Sequence, residues 1–280
     1  MPEPRTYPEG VPSWVDAEQP DLEAAQAFYG GLFGWTFEDA SQADHPFRYV
    51  VAQLDGQDVA GLAGPGDQPL PTGTPAWNTY VAVDDADEVA ARVVEAGGHL
   101  VHGPALAAEH GRFAACADPA GVPFRLWQAG DRPGAQIVNV PGAWNFSDLH
   151  LTDPGAAVEF YGSVFGWAVD DLGFASMIRR PGYGDHLAAT IDPGIHERQA
   201  GVSAPPGFAD AIGWLAPAQP EEEPHWHVSF TVADRDAAAA DVERLGGTVL
   251  RRTDTDWTRE ALVRDPQGAV FTASQFTPPD

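Results

Sequence analysis

The sequence contains no lysine, and its 15 basic residues are all arginine. Without lysine, the chain cannot form a Schiff base through a lysine amine or place a Walker-type lysine against a nucleotide phosphate. The single cysteine, Cys116, excludes an internal disulfide and favours the cytoplasm. No apolar run approaches the roughly 20 residues that span a bilayer. The first ten residues have no basic region followed by an apolar one, so we expect no signal peptide.

Positive charge is also scarce. Against the 15 basic residues stand 41 acidic ones, for a formal net charge of −26. A surface of this kind repels nucleic acid and anionic lipid, and it attracts cationic ligands. Solubility alone is the simpler explanation of the acidity. Hydrophobic residues make up 44% of the chain, which predicts a folded protein rather than a disordered one.

The chain contains an internal duplication. Residues 21–35 read DLEAAQAFYGGLFGW and residues 153–167 read DPGAAVEFYGSVFGW, with one offset of 132 residues (Tyr29 to Tyr161). Two further pairs of segments are similar: VEAGGHLV at 94–101 with VERLGGTVL at 242–250, and DPAGVPF at 118–124 with DPQGAVF at 265–271. Self-similarity at a fixed spacing predicts two copies of a unit of about 130 residues.

Each copy divides again into two strand–helix–strand–strand–strand (βαβββ) modules. The apolar spacing predicts helices at 21–33, 86–97, 154–164 and 234–245. In the third module, 174–180 and 186–191 are predicted strands, followed by a long loop from about 193 to 223. We therefore predict an α+β fold of four βαβββ modules paired into two curled mixed sheets. The predicted domains are a first lobe at 1–130, a linker at 131–141 and a second lobe at 142–280, with a Pro/Gly-rich stretch at 65–75.

This pattern resembles the vicinal oxygen chelate superfamily, which includes glyoxalase I, extradiol dioxygenases and bleomycin-resistance proteins. The matching residues are Asp21, Phe28, Tyr29, Phe33, Gly34 and Trp35 with their copies at 153–167, the glycine pairs at 97–98 and 246–247, and the Asp-Pro-x-Gly turns at 118–121 and 265–268. The resemblance covers nearly the whole chain. It looks closest to the two-lobed glyoxalase-like branch of actinobacteria that is often labelled "hydroxylase".

The resemblance implies a divalent metal held by His, Gln or Glu at fixed places on the strands. Counted from the duplicated landmarks, those places hold Trp14, Asn78, Arg125, Phe146, His227 and Thr272, with His186 close to a further one. Tryptophan and arginine cannot ligate a metal in this way, and one imidazole does not hold a divalent ion. We therefore expect no metal and no cofactor. A displaced metal set among His150, His186, His225 and His227 stays open as an alternative.

Strand alternation then predicts which residues share a face with those positions. Trp14 lies with Asp16, Asn78 with Tyr80, Arg125 with Trp127, Phe146 with Asp148 and His150, and His225 with His227 and Ser229. The predicted ligand-binding residues are Trp14, Asp16, Asn78, Arg125, Phe146, Asp148, His227 and Thr272. Asp148 and His227 are also candidates for a general-base pair. Trp35, Trp167 and Cys116 are predicted core residues.

These residues favour binding chemistry. We predict a metal-independent, small-molecule-binding protein of the glyoxalase/bleomycin-resistance type, holding a bulky aromatic natural product that is neutral or cationic. Its role would be self-resistance, or product sequestration beside a partner biosynthetic enzyme, with a homodimer possible. One alternative is a glyoxalase-like lyase, isomerase or oxygenase of secondary metabolism. A scaffold with one degenerate lobe is another. Metal analysis and planar-antibiotic binding without turnover distinguish these functions.

Overall fold

A computed structural model describes residues 4–41, 47–65, 75–173, 175–200, 204–218 and 222–278. The first module comprises β1 (Pro12–Glu18), α1 (Leu22–Phe33), β2 (Thr36–Asp39), β3 (Phe47–Leu54) and β4 (Gln57–Pro65). The second comprises β5 (Trp77–Ala82), α2 (Ala86–Glu95), β6 (His99–Leu106), β7 (Gly111–Ala117) and β8 (Pro123–Ala129).

The second half repeats this order with an insertion. The third module comprises β9 (Trp144–Leu151), α3 (Pro154–Phe165), β10 (Ala168–Asp171), β11 (Ser176–Arg179), α4 (Tyr183–Thr190), α5 (Ile195–Ala200) and β12 (Ala211–Pro217). The fourth comprises β13 (His225–Thr231), α6 (Arg235–Arg244), β14 (Thr248–Asp254), β15 (Thr258–Arg264) and β16 (Val270–Phe276).

The strands form two eight-stranded sheets of the same topology. The orders are β2-β3-β4-β1-β5-β8-β7-β6 and β10-β11-β12-β9-β13-β16-β15-β14. The first and last strands of each module pair in parallel, whereas the hairpins within each module are antiparallel. The α+β prediction of four βαβββ modules in two mixed sheets is confirmed. The lobe boundaries at 1–130, 131–141 and 142–280 remain a prediction.

Helices α1, α2, α3 and α6 begin where the sequence predicts, because an aspartate precedes the first turn of each. The side chain of Asp21 accepts a hydrogen bond from the backbone N–H of Ala24, and Asp85, Asp153 and Asp234 act in the same way. Such N-caps satisfy backbone donors that the helix itself leaves unpaired. After α1 the chain turns at Gly34, whose φ of 74° is a left-handed conformation that glycine adopts without strain.

One predicted strand is wrong. Residues 186–191 lie on α4 and just after it rather than on a strand, and the strand of that part of the sheet is β12, inside the expected loop. Leu187, Ala188 and Ala189 in this segment are residues with high helix propensity. At the first turn of α4, the backbone N–H of Gly184 donates to Asp210 Oδ1 at 2.8 Å. Residues 66–74 of the Pro/Gly-rich stretch at 65–75, and Phe174 of the predicted strand at 174–180, fall outside the described residues.

Packing divides the chain into two compact units. Unit 1 is Met1–Ser13, Thr79–Gly134 and Ser147–Trp226, and unit 2 is Trp14–Asn78, Ala135–Phe146 and His227–Asp280. The core of unit 1 contains Phe124, Phe160, Phe165, Trp167 and Cys116. Burial raises the pKa of the Cys116 thiol to about 12. The predicted core positions of Trp167 and Cys116 are confirmed by exposed fractions of 6% and 0%.

The core of unit 2 is an aromatic cluster. Phe33 lies 5.1 Å from Phe230 between ring centroids, and Trp77 lies 4.9 Å from the same ring. Trp35 is 4% exposed, which confirms its predicted core position, and its indole N–H donates to the carbonyl of Gly142 at 2.7 Å. Aromatic rings in edge-on and tilted contacts contribute beyond the area that they bury.

The duplicated motifs of unit 2 bind one another. Tyr29, from the Phe-Tyr motif of α1, donates its hydroxyl hydrogen to Asp265 Oδ2 at 2.8 Å, and Asp265 begins an Asp-Pro-x-Gly turn. Gln19 donates to the same oxygen at 2.8 Å, and the indole N–H of Trp77 donates to the Tyr29 hydroxyl at 3.2 Å. Burial, followed by the Asp265 charge, raises the pKa of Tyr29 well above its usual value. The buried hydrogen bonds between the Phe-Tyr motif and the Asp-Pro-x-Gly turn therefore give both motifs a structural role.

Unit 1 contains the equivalent contact. Tyr161 of α3 donates to Asp118 Oδ2 at 3.3 Å, and Trp226 donates to the Tyr161 hydroxyl at 3.2 Å. The backbone N–H of Val122 donates to Asp118 Oδ1 at 2.9 Å. Burial raises the pKa of Asp118 although these donors act in the opposite direction. The position that corresponds to Gln19 holds Leu151, which has no donor to offer.

Candidate functional site

The first strand of unit 2 presents a polar network on the face away from its helix. Val15 and Ala17 belong to the core, so the alternating residues Trp14 and Asp16 lie on the other face. Asp16 is only 1% exposed. Its Oδ1 accepts a hydrogen bond from the Asn78 amide at 2.8 Å. Three of the predicted ligand-binding residues therefore lie together in unit 2.

Tyr49 on β3 completes this network, and sequence reasoning missed it. The Trp14 indole N–H donates to the Tyr49 hydroxyl at 2.8 Å, and that hydroxyl donates to Asp16 Oδ2 at 3.3 Å. The ring reaches them by crossing β4 at Gly61, which pairs with Asp16 in the parallel register. A Cβ at Gly61 would lie 2.0 Å from the Tyr49 hydroxyl and 3.0 Å from Asp16 Cβ. We call Trp14, Asp16, Tyr49, Gly61 and Asn78 the Trp14 site.

The Trp14 site does not fit a chelated divalent ion. The Trp14 indole offers only a donor, which is already directed at Tyr49. Asp16 is the one carboxylate of the site, and its two oxygens accept from Asn78 and Tyr49. Three or four ligands are usual for a bound metal. The residues at these family positions therefore do not supply the ligand set that a divalent ion needs.

Arg125, another predicted ligand-binding residue, lies in unit 1 beside Tyr80. Its Nη1 donates to the Tyr80 hydroxyl at 3.2 Å, and its guanidinium carbon lies 5.5 Å from the centre of the Tyr80 ring. Trp127, on the same strand face as Arg125, meets the Tyr80 ring edge-on at 6.4 Å. The side chains of Tyr80 on β5 and of Arg125 and Trp127 on β8 are therefore neighbours. Arg125 remains a predicted binding residue.

In the part of the fourth module that belongs to unit 2, His227 and Thr272 contact each other. His227 Nε2 lies 2.8 Å from Thr272 Oγ1, and the two residues are 7% and 8% exposed. β13 and β16 pair in parallel, with Ser229 opposite Thr272. Phe146, the remaining predicted residue of this unit, is half-buried. The binding roles of these residues and a general-base pair of Asp148 with His227 stay predictions.

Asp148 lies in unit 1 and accepts a hydrogen bond from the Trp214 backbone. Its Oδ1 is 3.1 Å from the Trp214 nitrogen. Leu215 pairs with Leu149 across β12 and β9, so Trp214 occupies the position that Gly61 has in the first sheet. Sequence counting expected this place near His186, which is wrong because α4 and α5 are inserted before β12. His186 Nε2 lies instead 3.1 Å from the Thr6 carbonyl.

Three further side chains of unit 1 converge at the end of β9 and the start of β13. His150 Nδ1 lies 3.0 Å from Glu222 Oε1, and His225 Nε2 lies 3.8 Å from the same oxygen. The two imidazole rings are 4.9 Å apart between centroids. Within the described parts of the chain, this is the one group of three His, Cys, Asp or Glu side chains whose metal-ligating atoms all lie within 4.8 Å of one another. Glu222 was not among the predicted site residues, and only the acidic run at 221–223 pointed to it.

Comparison with known proteins shows the family. The model of the Glyoxalase/Bleomycin resistance protein/Dioxygenase superfamily matches residues 14–126, and a Glyoxalase-like domain model matches residues 146–274. The putative glyoxylase CFP32 of Mycobacterium tuberculosis is 34% identical over 99% of both chains. The anthracycline biosynthesis protein DnrV of Streptomyces peucetius is 34% identical over 95% of this chain and 94% of its own. The chain therefore belongs to the glyoxalase/bleomycin resistance protein/dioxygenase superfamily.

Solved structures show the same fold at low sequence identity. The Mn(II)-bound glyoxalase from Novosphingobium aromaticivorans is 17% identical, with a TM-score of 0.61 over 96% of this chain and 84% of that one. The 2,3-dioxygenase LapB from Pseudomonas sp. KL28 is 15% identical, with a TM-score of 0.60 over 99% and 96%. These likenesses establish the vicinal oxygen chelate fold. Among the described residues, no helix has the length and apolar character needed to cross a membrane.

Proposed function

We propose that the protein binds a planar aromatic small molecule at the Trp14 site without the metal ion of its family. The observation that carries this proposal is the hydrogen-bonded chain from Trp14 through Tyr49 to Asp16, with Asn78 on the second carboxylate oxygen. Trp14 and Asn78 stand at positions where the family resemblance implies metal ligands, and Tyr49 and Asp16 are their hydrogen-bond partners.

The network holds an indole ring in a defined orientation. Trp14 is half-buried and packs against the core of unit 2, and its N–H bond to Tyr49 restricts rotation of the ring. A ring that is fixed before binding loses less conformational entropy when a ligand stacks on it. Aromatic contacts contribute about 0.5–1.5 kcal/mol beyond the area that they bury. The site is therefore suited to a flat, fused-ring compound.

Asp16 supplies the polar part of recognition. A carboxylate has about four lone-pair positions, and the Asn78 and Tyr49 donors orient the two oxygens. Because Asp16 is only 1% exposed, an amine or hydroxyl of the ligand would replace one of these donors and form a charge-assisted hydrogen bond, which is about twice as strong as a neutral one. The net charge of −26 also raises the local concentration of a cationic ligand.

The named relatives indicate the class of compound. DnrV and the related DauV of Streptomyces sp. (strain C5) are called anthracycline biosynthesis proteins, and DauV is likewise 34% identical to this chain over 95% of its length. Anthracyclines are planar fused-ring compounds, and many carry an amino sugar. We propose that the protein holds such a natural product in the cytoplasm, for self-resistance or beside a biosynthetic partner enzyme, as a monomer or a homodimer.

Fluorescence anisotropy of doxorubicin, an amine-bearing anthracycline, tests the proposal. Trp14→Ala should weaken binding at least about tenfold, because tenfold corresponds to 1.4 kcal/mol and both stacking and buried area are lost. Asp16→Asn should weaken binding of doxorubicin more than that of its aglycone, which lacks the amine. Trp257→Ala is the matched control, since Trp257 stacks on Phe276 outside the Trp14 site. Equal affinities for Trp14→Ala and Trp257→Ala would refute the site.

An enzyme is the second candidate, favoured by the buried contact between His227 and Thr272 and by the glyoxylase name of the CFP32 relatives. A histidine with a pKa near neutrality is suited to general-base catalysis. Mass spectrometry of incubations with a hemithioacetal or an aromatic polyketide would detect product. Turnover that His227→Ala abolishes while doxorubicin still binds would favour the enzyme over the binding protein.

A further inference from the structure

We infer that His150, Glu222 and His225 form a binding site for a first-row divalent metal ion of the zinc, cobalt or nickel type. Two imidazole nitrogens approach a single carboxylate oxygen, at 3.0 Å for His150 Nδ1 and 3.8 Å for His225 Nε2. A nitrogen lone pair and a carboxylate oxygen repel each other unless a proton or a cation lies between them. The convergence of three such groups indicates a cation.

The spacing of the ligand atoms fits a tetrahedral ion. Zinc lies about 2.0–2.1 Å from histidine nitrogen and about 2.0–2.2 Å from carboxylate oxygen, so two ligands of one tetrahedral ion are roughly 3.4 Å apart. The two distances from Glu222 Oε1 lie on either side of that value. All three ligand atoms lie within 4.8 Å of one another, so shifts of about 1 Å or less, within the range of side-chain torsions, close the set.

The orientation of the His225 ring is already fixed for ligation. Its Nδ1 lies 2.9 Å from the backbone carbonyl of Glu223, and a carbonyl only accepts hydrogen bonds. Nδ1 therefore carries a hydrogen, and in the neutral ring the lone pair is on Nε2, the atom directed at Glu222. Histidine ligands of metal ions commonly donate their second nitrogen to a carbonyl or carboxylate in this way, because the bond fixes the tautomer and the ring plane.

The ligand set and its exposure define the kind of ion and site. Two imidazoles and one carboxylate suit zinc, cobalt, nickel or copper better than magnesium or calcium, which prefer oxygen ligands alone. The side chains of His150, Glu222 and His225 are 21%, 27% and 35% exposed, so an ion reaches them from solvent. Three protein ligands leave at least one position for water or a ligand, as in catalytic rather than structural zinc sites.

This site is distinct from the family's metal positions. His150 follows Phe146 by four residues on β9, and His225 precedes His227 by two residues on β13. Strand alternation therefore keeps each histidine on the face of the family position while moving it along the strand. The corresponding residues of the first sheet are Glu18 and Ala76, so the duplication does not explain the histidines. The site also shares no residue with the Trp14 site.

Metal binding by the full-length protein tests the inference directly. Protein stripped with EDTA is titrated with Co²⁺, whose visible absorption reports nitrogen and oxygen coordination, and with Zn²⁺ by calorimetry. We expect one equivalent to bind. His150→Ala, His225→Ala and Glu222→Gln should each weaken binding by at least about tenfold, since even losses in the surrounding shell of a metal site cost roughly 10–100-fold. Circular dichroism and the melting temperature establish that each variant folds.

Two matched controls isolate the three ligands. Glu223→Gln makes the same chemical change one residue away and keeps the backbone carbonyl that holds His225. His196→Ala removes a histidine that pairs with Asp185 at 3.1 Å on the surface. Both should bind metal like the wild type. No Co²⁺ or Zn²⁺ binding by the wild type, or equal affinity in the ligand and control variants, would overturn the site. Either result leaves doxorubicin binding at the Trp14 site unaffected, so the two proposals fail separately.

Discussion

The contact between Tyr29 and Asp265 gives the sharpest prediction for stability. In Tyr29→Phe, the carboxylate of Asp265 loses a donor at 2.8 Å, and the Trp77 indole N–H loses its acceptor at 3.2 Å. Tyr29, Trp77 and Asp265 are at most 5% exposed, so water does not replace these partners. A hydrogen bond to a charged group contributes about 1.5–3 kcal/mol, and an unpaired buried donor costs about 1–3 kcal/mol.

We therefore expect Tyr29→Phe to lower the free energy of unfolding by about 3 kcal/mol. For a protein of this size that corresponds to a melting temperature roughly 6–12 °C lower. Urea denaturation followed by tryptophan fluorescence gives the free energy, and a double-mutant cycle with Asp265→Asn isolates the pair. The coupling energy should be about 1 kcal/mol or more.

Tyr161→Phe is the matched control in unit 1. Its hydroxyl is 3.3 Å from Asp118 Oδ2, against 2.8 Å between Tyr29 and Asp265, so the longer and weaker hydrogen bond predicts a smaller loss than for Tyr29→Phe. If the free energy of unfolding of Tyr29→Phe is within about 0.5 kcal/mol of the wild type, or if the double-mutant cycle shows no coupling to Asp265, the Tyr29–Asp265 hydrogen bond does not stabilise the protein as expected.

Three further predictions follow from single contacts. Gly61→Ala places a Cβ 2.0 Å from the Tyr49 hydroxyl, so it should displace that ring and weaken doxorubicin binding at least about threefold. Unchanged affinity would contradict the role of the Tyr49 hydrogen bonds in the Trp14 site. The Arg179 guanidinium lowers the pKa of Asp170. The difference in stability between the wild type and Asp170→Asn should therefore be present above the ordinary aspartate pKa of 3.8 and vanish as the pH falls through the lowered value. A difference that grows on acidification in urea titrations would exclude this pairing. Because burial raises the pKa of Cys116 to about 12, iodoacetamide at pH 8 should label this thiol only after denaturation. Rapid labelling of the native protein, detected by mass spectrometry, would contradict the buried position of Cys116.

Much of the fold could be predicted from the sequence, because it is specified by local signals that repeat. Asp21 and Asp153 cap equivalent helices, and Gly34 and Gly166 end them with φ of 74° and 70°. Alternation along β1 also placed Trp14 and Asp16 on one face, since Val15 and Ala17, which alternate with them, are apolar and face the core.

Several parts of the candidate sites could not be predicted, because they depend on strand register and on an insertion. Tyr49 reaches Asp16 only because β3, β4 and β1 are adjacent and Gly61 leaves room for the ring. Counting from the duplicated landmarks failed at Trp214, since α4 and α5 lengthen the third module before β12. Glu222 lies between elements, where no periodicity indicates which way a side chain points.

A crystal structure of the protein soaked with doxorubicin would show whether the ligand occupies the Trp14 site. We expect the fused rings to lie against the Trp14 indole, with ring centroids about 4.5–7 Å apart, and a ligand donor to lie within hydrogen-bonding distance of Asp16. Ligand density away from Trp14 and Asp16, or a metal ion coordinated by three protein atoms at the Trp14 site, would contradict this expectation.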